Sequence, residues 1–199
     1  MEPEQNFVEL WGRVEALPLL SHENHSRQFY KFPLCVERLS GQADHPVILV
    51  SGTQLRSFPL HIGDPLRVAG SLRSFNNKSG QGSRLLLSVF AETLSRGDGE
   101  FRNCVLLSGT LCRKPHLRRT PLGRSICDIT LAVNRRYGRA DYLPCIAWGQ
   151  TASEIAEMDV GERLSFEGRF QSRDYLKMID GEAEKRTAFE VSVMELLTP

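Results

Sequence analysis

The sequence predicts an all-β protein built as two small barrels in tandem, and three observations predict it. The first is an internal repeat, which is the signature of a duplicated unit. Asn6-x-Val8-x-Leu10-x-Gly12 returns 97 residues later as Asn103-x-Val105-x-Leu107-x-Gly109. The same offset carries Pro18 onto Pro115, Arg27 onto Arg124, and Leu34, Val36 and Arg38 onto Leu131, Val133 and Arg135. It still holds for Gly41/Gly138, Ala43-Asp44/Ala140-Asp141 and Gly52/Gly149; one inserted residue later Gly63 and Gly70 match Gly161 and Gly168. The second observation is strict alternation. Leu164, Phe166, Gly168 and Phe170 alternate with Arg163, Ser165, Glu167 and Arg169, as Leu66, Val68, Gly70 and Leu72 do with Arg67, Ala69, Ser71 and Arg73. That period of two belongs to half-buried strands. The third is composition: 41% hydrophobic and 25% charged residues in 199 describe a globular chain, long enough for two small domains.

Each copy reads as five short strands. In the second copy these lie at Val105–Leu111, Ser125–Asn134, Tyr142–Trp148, Arg163–Arg173 and Arg186–Glu195. Between the third and fourth, Thr151 to Met158 places Ala152, Ile155 and Ala156 at helical spacing. Five strands with a short helix after the third is the layout of an OB-fold barrel. The shared glycines Gly12/Gly109 and Gly70/Gly168 suit the bends and bulges of a small closed barrel. The polar run Ser95–Glu100 reads as a linker, giving a first domain over residues 1–96 and a second over 101–199.

Net charge is only +1, but its distribution is uneven. From Arg102 to Arg139 lie nine basic residues and one acid, Asp128, whereas acids gather at Glu154–Glu167 and Asp180–Glu184. Such clustering is the footprint of an anion-binding face. The third strand of the second copy then shows which face is free. Its parities are Tyr142, Pro144, Ile146, Trp148 and Leu143, Cys145, Ala147, both apolar. In the first copy Tyr142 and Trp148 become His45 and Ser51, while the other parity stays small and apolar as Pro46, Ile48 and Val50. A core site does not readily trade Trp for Ser, because the exchange leaves a cavity and an unpaired hydroxyl. Tyr142 and Trp148 are therefore expected to face outward. Outward aromatics beside arginines suit single-stranded nucleic acid, whose bases stack on rings while cations follow the phosphates. Tyr137 and Tyr175 extend the aromatic set. The basic set is Arg113, Lys114, Arg118 and Arg119 in a Pro-flanked, exposed first loop, then Arg135, Arg136, Arg139, Arg169 and Arg173. Arg124 and Arg135 recur as Arg27 and Arg38, which also suits a shared structural role.

These segments resemble the bacterial single-stranded DNA-binding protein family. The resemblance lies in Asn103–Gly109, Lys114–Gly123, Leu131–Arg135, Ala147-Trp-Gly149 and Glu167–Arg173, nearly the whole second half. Gly70-Ser-Leu-Arg-Ser74 is a fainter echo in the first. It implies sequence-tolerant binding of single-stranded DNA in replication, repair or recombination, with Tyr142, Trp148 and Tyr175 where the family places its stacking aromatics and Tyr137 near another. Members of that family carry one barrel per chain and form tetramers, so two barrels per chain imply a homodimer with four. They also end in an acidic-tipped tail that recruits replication and repair proteins. This sequence ends at Glu195-Leu-Leu-Thr-Pro199, and recruitment by such a tail is not expected of it. The second barrel, 101–199, is expected to hold the DNA and the first, 1–96, which is aromatic-poor, to serve assembly or scaffold; the alternative is a primosome-type protein-interaction module on the same fold, with weak or no DNA binding.

Several classes are excluded on sequence. No window approaches 18 apolar residues and the start, Met1-Glu-Pro-Glu-Gln, is polar and acidic, so neither a membrane span nor a secretory signal is expected, and the location reads as cytoplasmic. Five cysteines without a C-x-x-C pair read as reduced and mostly buried. His22 and His25 have H-x-x-H spacing but no companion ligands, so no metal or cofactor is expected. Trp11 reads as a packing or interface residue, and Asp44 and Asp141 as turn caps. No catalytic constellation is found, and the chain reads as a non-enzyme.

Overall fold

A computed structural model describes residues 5–77, 84–97, 99, 101–135, 138–179 and 181–197. The chain divides into two compact units. Phe7–Arg73 and Leu87–Cys104 form the first; the second is built on Val105–Pro199 and takes in Ser74–Leu86. Among the described residues no helix is long and apolar enough to cross a membrane.

The first unit is built mostly from β1 (Gln5–Val14), β2 (Leu19–Asn24), β3 (Arg27–Glu37), β4 (Ala43–Asp44), β5 (Val47–Ser51), α1 (Gly52–Ser57), β6 (Pro65–Asn76) and β7 (Leu85–Arg96), of which Ser74–Asn76 and Leu85–Leu86 belong to the second. Five of these strands close a ring. β1 pairs antiparallel with β6 and β3, β3 with β5, β5 runs parallel to β7, and β7 lies beside β6. Alternation decides the inside: Val8, Leu10, Leu34, Val36, Ile48, Val50, Leu66 and Val68 are all buried. At the end of β5, Ser51 caps α1, its hydroxyl accepting from Gln54 N–H at 3.2 Å. A serine at that register position is thus explained by capping.

The second unit repeats the plan with β8 (Asn103–Leu111), β9 (His116–Arg119), β10 (Ser125–Arg135), β11 (Arg139–Trp148), α2 (Gly149–Ala156), β12 (Arg163–Ile179) and β13 (Glu182–Leu196). The ring β8–β12–β13–β11–β10 closes through antiparallel pairing of β10 with β8 and parallel pairing of β11 with β13. Val105, Leu107, Leu131, Val133, Leu143, Phe166 and Phe170 fill it. The recurring strand glycines mark close approaches. A Cβ on Gly70 would stand 2.0 Å from the Phe90 carbonyl oxygen, and one on Gly168 would stand 2.5 Å from that of Ser192. Gly168 also sits at the register shift between β12 and β13. The all-β, twin OB-barrel architecture with a helix after each third strand is therefore what the chain adopts.

Five expectations need correction. The Pro-flanked segment at 116–119 is a strand, because its backbone pairs with Ser125–Asp128 and both prolines, Pro115 and Pro121, fall outside the pairing. β12 and β13 continue well beyond Arg173, out to the pair Ile179↔Glu182. No core lies beneath that extension, where Leu176 and Met178 are exposed, so the alternation that reveals strands is missing. α2 starts earlier than Thr151 and stops at Ala156, after which Glu157 and Met158 N–H close tighter bonds onto Glu154 and Ile155. The cysteines are all free thiols but only Cys127 and Cys145 are buried; Cys35 and Cys104 take outward positions of their strands, and Cys112 follows β8. The expected linker also begins inside β7, and Gly97 abuts the Trp11 ring, where a Cβ would meet Nε1 at 2.1 Å.

Candidate nucleic-acid interface

Register determines which side chains share the outer face of the second barrel, because directly paired residues point the same way. Across β10 and β11 the pairs are Ile126↔Trp148, Asp128↔Ile146, Thr130↔Pro144 and Ala132↔Tyr142. On β9, Arg118 stands opposite Ile126 and His116 opposite Asp128. β13 joins through Ile146↔Ser192, and β12 through Arg169↔Ser192, Gln171↔Glu190, Arg173↔Ala188 and Tyr175↔Arg186. One face therefore carries Tyr142, Trp148, Tyr175, Arg118, Arg169 and Arg173. Tyr142 is 51% and Trp148 42% exposed, while Leu143, Cys145 and Ala147 are buried. The outward assignment made from the repeat agrees with this geometry.

The remaining sequence candidates separate. Arg113, in the β8–β9 connection, is exposed and lines a cleft of about 700 Å3 with Tyr142 and Pro144. Lys114 is held at the rim by Asp159 at 2.7 Å and by the Met158 carbonyl at 3.0 Å. Arg119 takes the opposite parity from Arg118, opposite Ser125. Arg139 is exposed at the start of β11, where it pairs with Arg135. Arg135 forms a bidentate ion pair with Asp141, which is 0% exposed. The same pair occurs in the first barrel, where Arg38 donates to Asp44 at 2.7 and 2.6 Å. Asp44 and Asp141 are thus partners of arginines at strand ends, Arg38 just past β3 and Arg135 closing β10, which corrects their reading as turn caps; the recurrence of Arg38 as Arg135 has this structural cause. Arg136 and Tyr137 lie outside the described residues.

Sequence reasoning missed Arg84. It lines the Tyr142 cleft together with Ser74 and Asn76 of the same unit. Ser74 is fixed there, donating N–H to Asp141 at 2.7 Å and accepting the Tyr142 N–H on its hydroxyl at 2.9 Å. Ser74 closes the Gly70–Ser74 echo, and Asn76 and Arg84 lie past it in a polar stretch, so neither the repeat nor alternation flagged them.

Two acids stand on the same face. Asp128 binds Arg118 at 2.6 Å, and buried Glu190 lies 3.4 Å from Arg173. Burial pushes the Glu190 carboxyl above the usual carboxylate range; Arg173 opposes the rise and Asp128 adds to it. The fold therefore holds the Glu190 proton more tightly than the unfolded chain. Its stabilising contribution is full below the ordinary glutamate pKa of about 4.3 and is lost as pH rises through the folded value. Glu190→Gln is expected to melt higher than the parent chain near pH 7 and to lose that advantage near pH 4, within the range opened by the raised pKa. A melting difference that does not change with pH would refute this burial effect.

Comparison with known proteins agrees with the geometry. Residues 102–197 match the model of the single-strand binding protein family. Single-stranded DNA-binding protein 2 of Streptococcus agalactiae is 32% identical over 102 residues, covering 48% of this chain and 76% of that one. Single-stranded DNA-binding protein A of Bacillus subtilis is 36% identical over 80 residues, 37% of this chain and 46% of that one. The chain spans about half the length of most of these curated relatives, 48% for the Halalkalibacterium halodurans protein. A crystal structure of a deletion mutant of the single-stranded DNA binding protein from Thermus aquaticus superposes with TM-score 0.79 at 25% identity, covering 100% of this chain and 96% of that one. A twin barrel over the whole length, and a second half that matches in sequence as well as in shape, place this chain in the single-strand binding protein family.

Proposed function

We propose that the chain binds single-stranded DNA with little sequence preference and catalyses no reaction, acting in the cytoplasm in replication, repair or recombination. One observation carries this reading: strand register puts Tyr142, Trp148 and Tyr175 on one outer face with Arg118, Arg169 and Arg173. The outer face of the second and third strands, with the hairpin of the fourth and fifth, is where OB-folds take oligonucleotides. Stacking contributes about 1–3 kcal/mol per base and is indifferent to sequence, since every base has a π-face. The arginines add an electrostatic contribution that salt weakens. Arg118 and Arg173 exchange Asp128 and Glu190 for phosphate when the strand binds. Two chains forming a homodimer would present four barrels.

The test is titration with oligo-dT followed by tryptophan quenching and anisotropy, against duplex DNA and RNA. Binding is expected to prefer the single strand and to weaken with salt along a log–log slope of about −0.7 per phosphate contact. No binding at low salt refutes the reading. Recovery of replication proteins after nuclease treatment, by a chain that ignores DNA, would replace it with the interaction-module reading.

A further inference from the structure

We infer that Glu190 is a positioning residue that ties DNA affinity to a proton: its buried carboxylate holds Arg173 in the free chain and is protonated when Arg173 turns to a phosphate. The inference rests on the reading proposed above and adds a proton linkage that the reading does not contain. β12 places Gln171 opposite Glu190, with Arg173 two residues further on, on the same outer face. The Arg173 guanidinium lies 3.4 Å from the Glu190 carboxylate, and the two side chains are 47% and 8% exposed. The pair is therefore lopsided. The arginine can swing to a phosphate and stay hydrated, whereas the carboxylate it leaves remains buried. A buried charge without its partner is costly, and a carboxylate sheds that cost by taking a proton.

The neighbours of Glu190 set the direction of the linkage. Burial favours its proton most; Arg173 and the Gln171 amide of β12 oppose it. Asp128 of β10 adds to the rise, and Arg118 of β9 opposes it least, being bound to Asp128 at 2.6 Å. Arg113, Lys114 and His116 share with Glu190 and Arg173 a cleft of about 230 Å3. Lys114 is engaged there by Asp159 at 2.7 Å. On β11 the buried Cys145 thiol is pushed well above the usual thiol range, by burial first and then by Glu190, so it stays neutral. A strand that draws Arg173 and Arg118 to its phosphates removes both opposing cations and brings negative charge beside Glu190. One proton then passes from solvent to a Glu190 carboxylate oxygen. The carboxyl holds that proton more tightly in the complex than in the free chain, so affinity rises as pH falls through the interval between the two states.

Oligo-dT is the probe, because thymine takes up no proton in the range tested. Calorimetric titration of the full chain in buffers of low and high ionisation enthalpy is expected to show uptake of up to about one proton per bound site. Anisotropy titrations from about pH 8 to about pH 5 should show affinity rising by up to about tenfold per pH unit, the limit for one proton. Glu190→Gln, whose amide stands in for the protonated acid, should bind about tenfold tighter than the parent chain near pH 8 and lose most of the pH dependence and proton uptake. His116→Gln removes the neighbouring imidazole and should keep both. A parent chain that binds without taking up a proton, a Glu190→Gln variant that keeps the parent's pH slope, or loss of the uptake in His116→Gln instead overturns this inference and leaves the proposed function standing. No binding by the parent chain at low salt refutes the proposed function itself.

Discussion

Replacing Trp148 by alanine is expected to weaken oligo-dT binding by about 5- to 150-fold, the equivalent of the ~1–3 kcal/mol that one stacked base contributes. Trp11→Ala should leave binding within a few-fold of the parent. The contrast follows from where the two rings sit. Trp148 closes β11 on the outer face, half exposed, with Ile126 opposite and Arg118 one strand further on. Trp11 lies against Gly97, with Arg13 5.9 Å over its ring and its indole N–H buried without a hydrogen-bond partner among the described residues. Its loss should instead lower stability, on the order of 2 kcal/mol, less than the ~3–5 of a fully buried tryptophan. Tyr142→Ala should behave like Trp148→Ala, and the double variant should fall further because the two rings sit at opposite ends of β11. Anisotropy titrations and urea melts on the same preparations separate the two effects. Equal losses of DNA affinity from Trp148→Ala and Trp11→Ala would refute the face assignment.

The barrels and their working face could be read from sequence because the chain supplies its own comparison. Trp148 against Ser51 exposed the outward parity of β11, and the strand glycines of the repeat, Gly12, Gly70, Gly109 and Gly168, fell where backbones approach too closely for a side chain. What stayed hidden follows from the limits of reading one strand at a time. β9 is only His116–Arg119, too short for alternation to register and bracketed by prolines that read as a loop. The outer half of the β12–β13 hairpin has exposed residues on both faces, held by pairs such as Lys185–Asp174 at 2.8 Å. Arg118 and Arg119, adjacent in sequence and counted together in one exposed basic loop, are split by strand parity. Arg135 looked like one more cation in a basic run, although its recurrence as Arg38 already pointed to a role that both barrels share.

That shared role yields the second large effect: Asp141→Ala should cost about 3 kcal/mol of stability, near the lower end of the ~3–5 measured for breaking a buried ion pair. Asp141 has no exposed surface, and the groups that donate to it include Arg135 Nε, an Arg135 terminal nitrogen, the Ser74 N–H and the Ser74 hydroxyl. Removing the carboxylate leaves that N–H without this acceptor, while the partly exposed Arg135 regains water, which holds the cost toward the low end. Arg135→Ala should cost as much or more, because it strands a carboxylate where water cannot reach it. Arg135→Lys keeps the charge and loses the planar two-point fit, so it should fall between. Asp44→Ala should reproduce the loss in the first barrel, where Arg38 makes the same pair. Under conditions where the variants remain folded, Arg135→Ala should leave the salt slope of DNA binding unchanged, whereas Arg169→Ala should make it shallower by about 0.7, the share of one phosphate contact. If Arg135→Ala instead reduces the slope with little change in urea midpoint, Arg135 belongs to the binding face and the paired aspartate is secondary. The position of the arginine in a repeated, buried pair argues for the first outcome: a barrel with no DNA attached still needs β10 tied to β11.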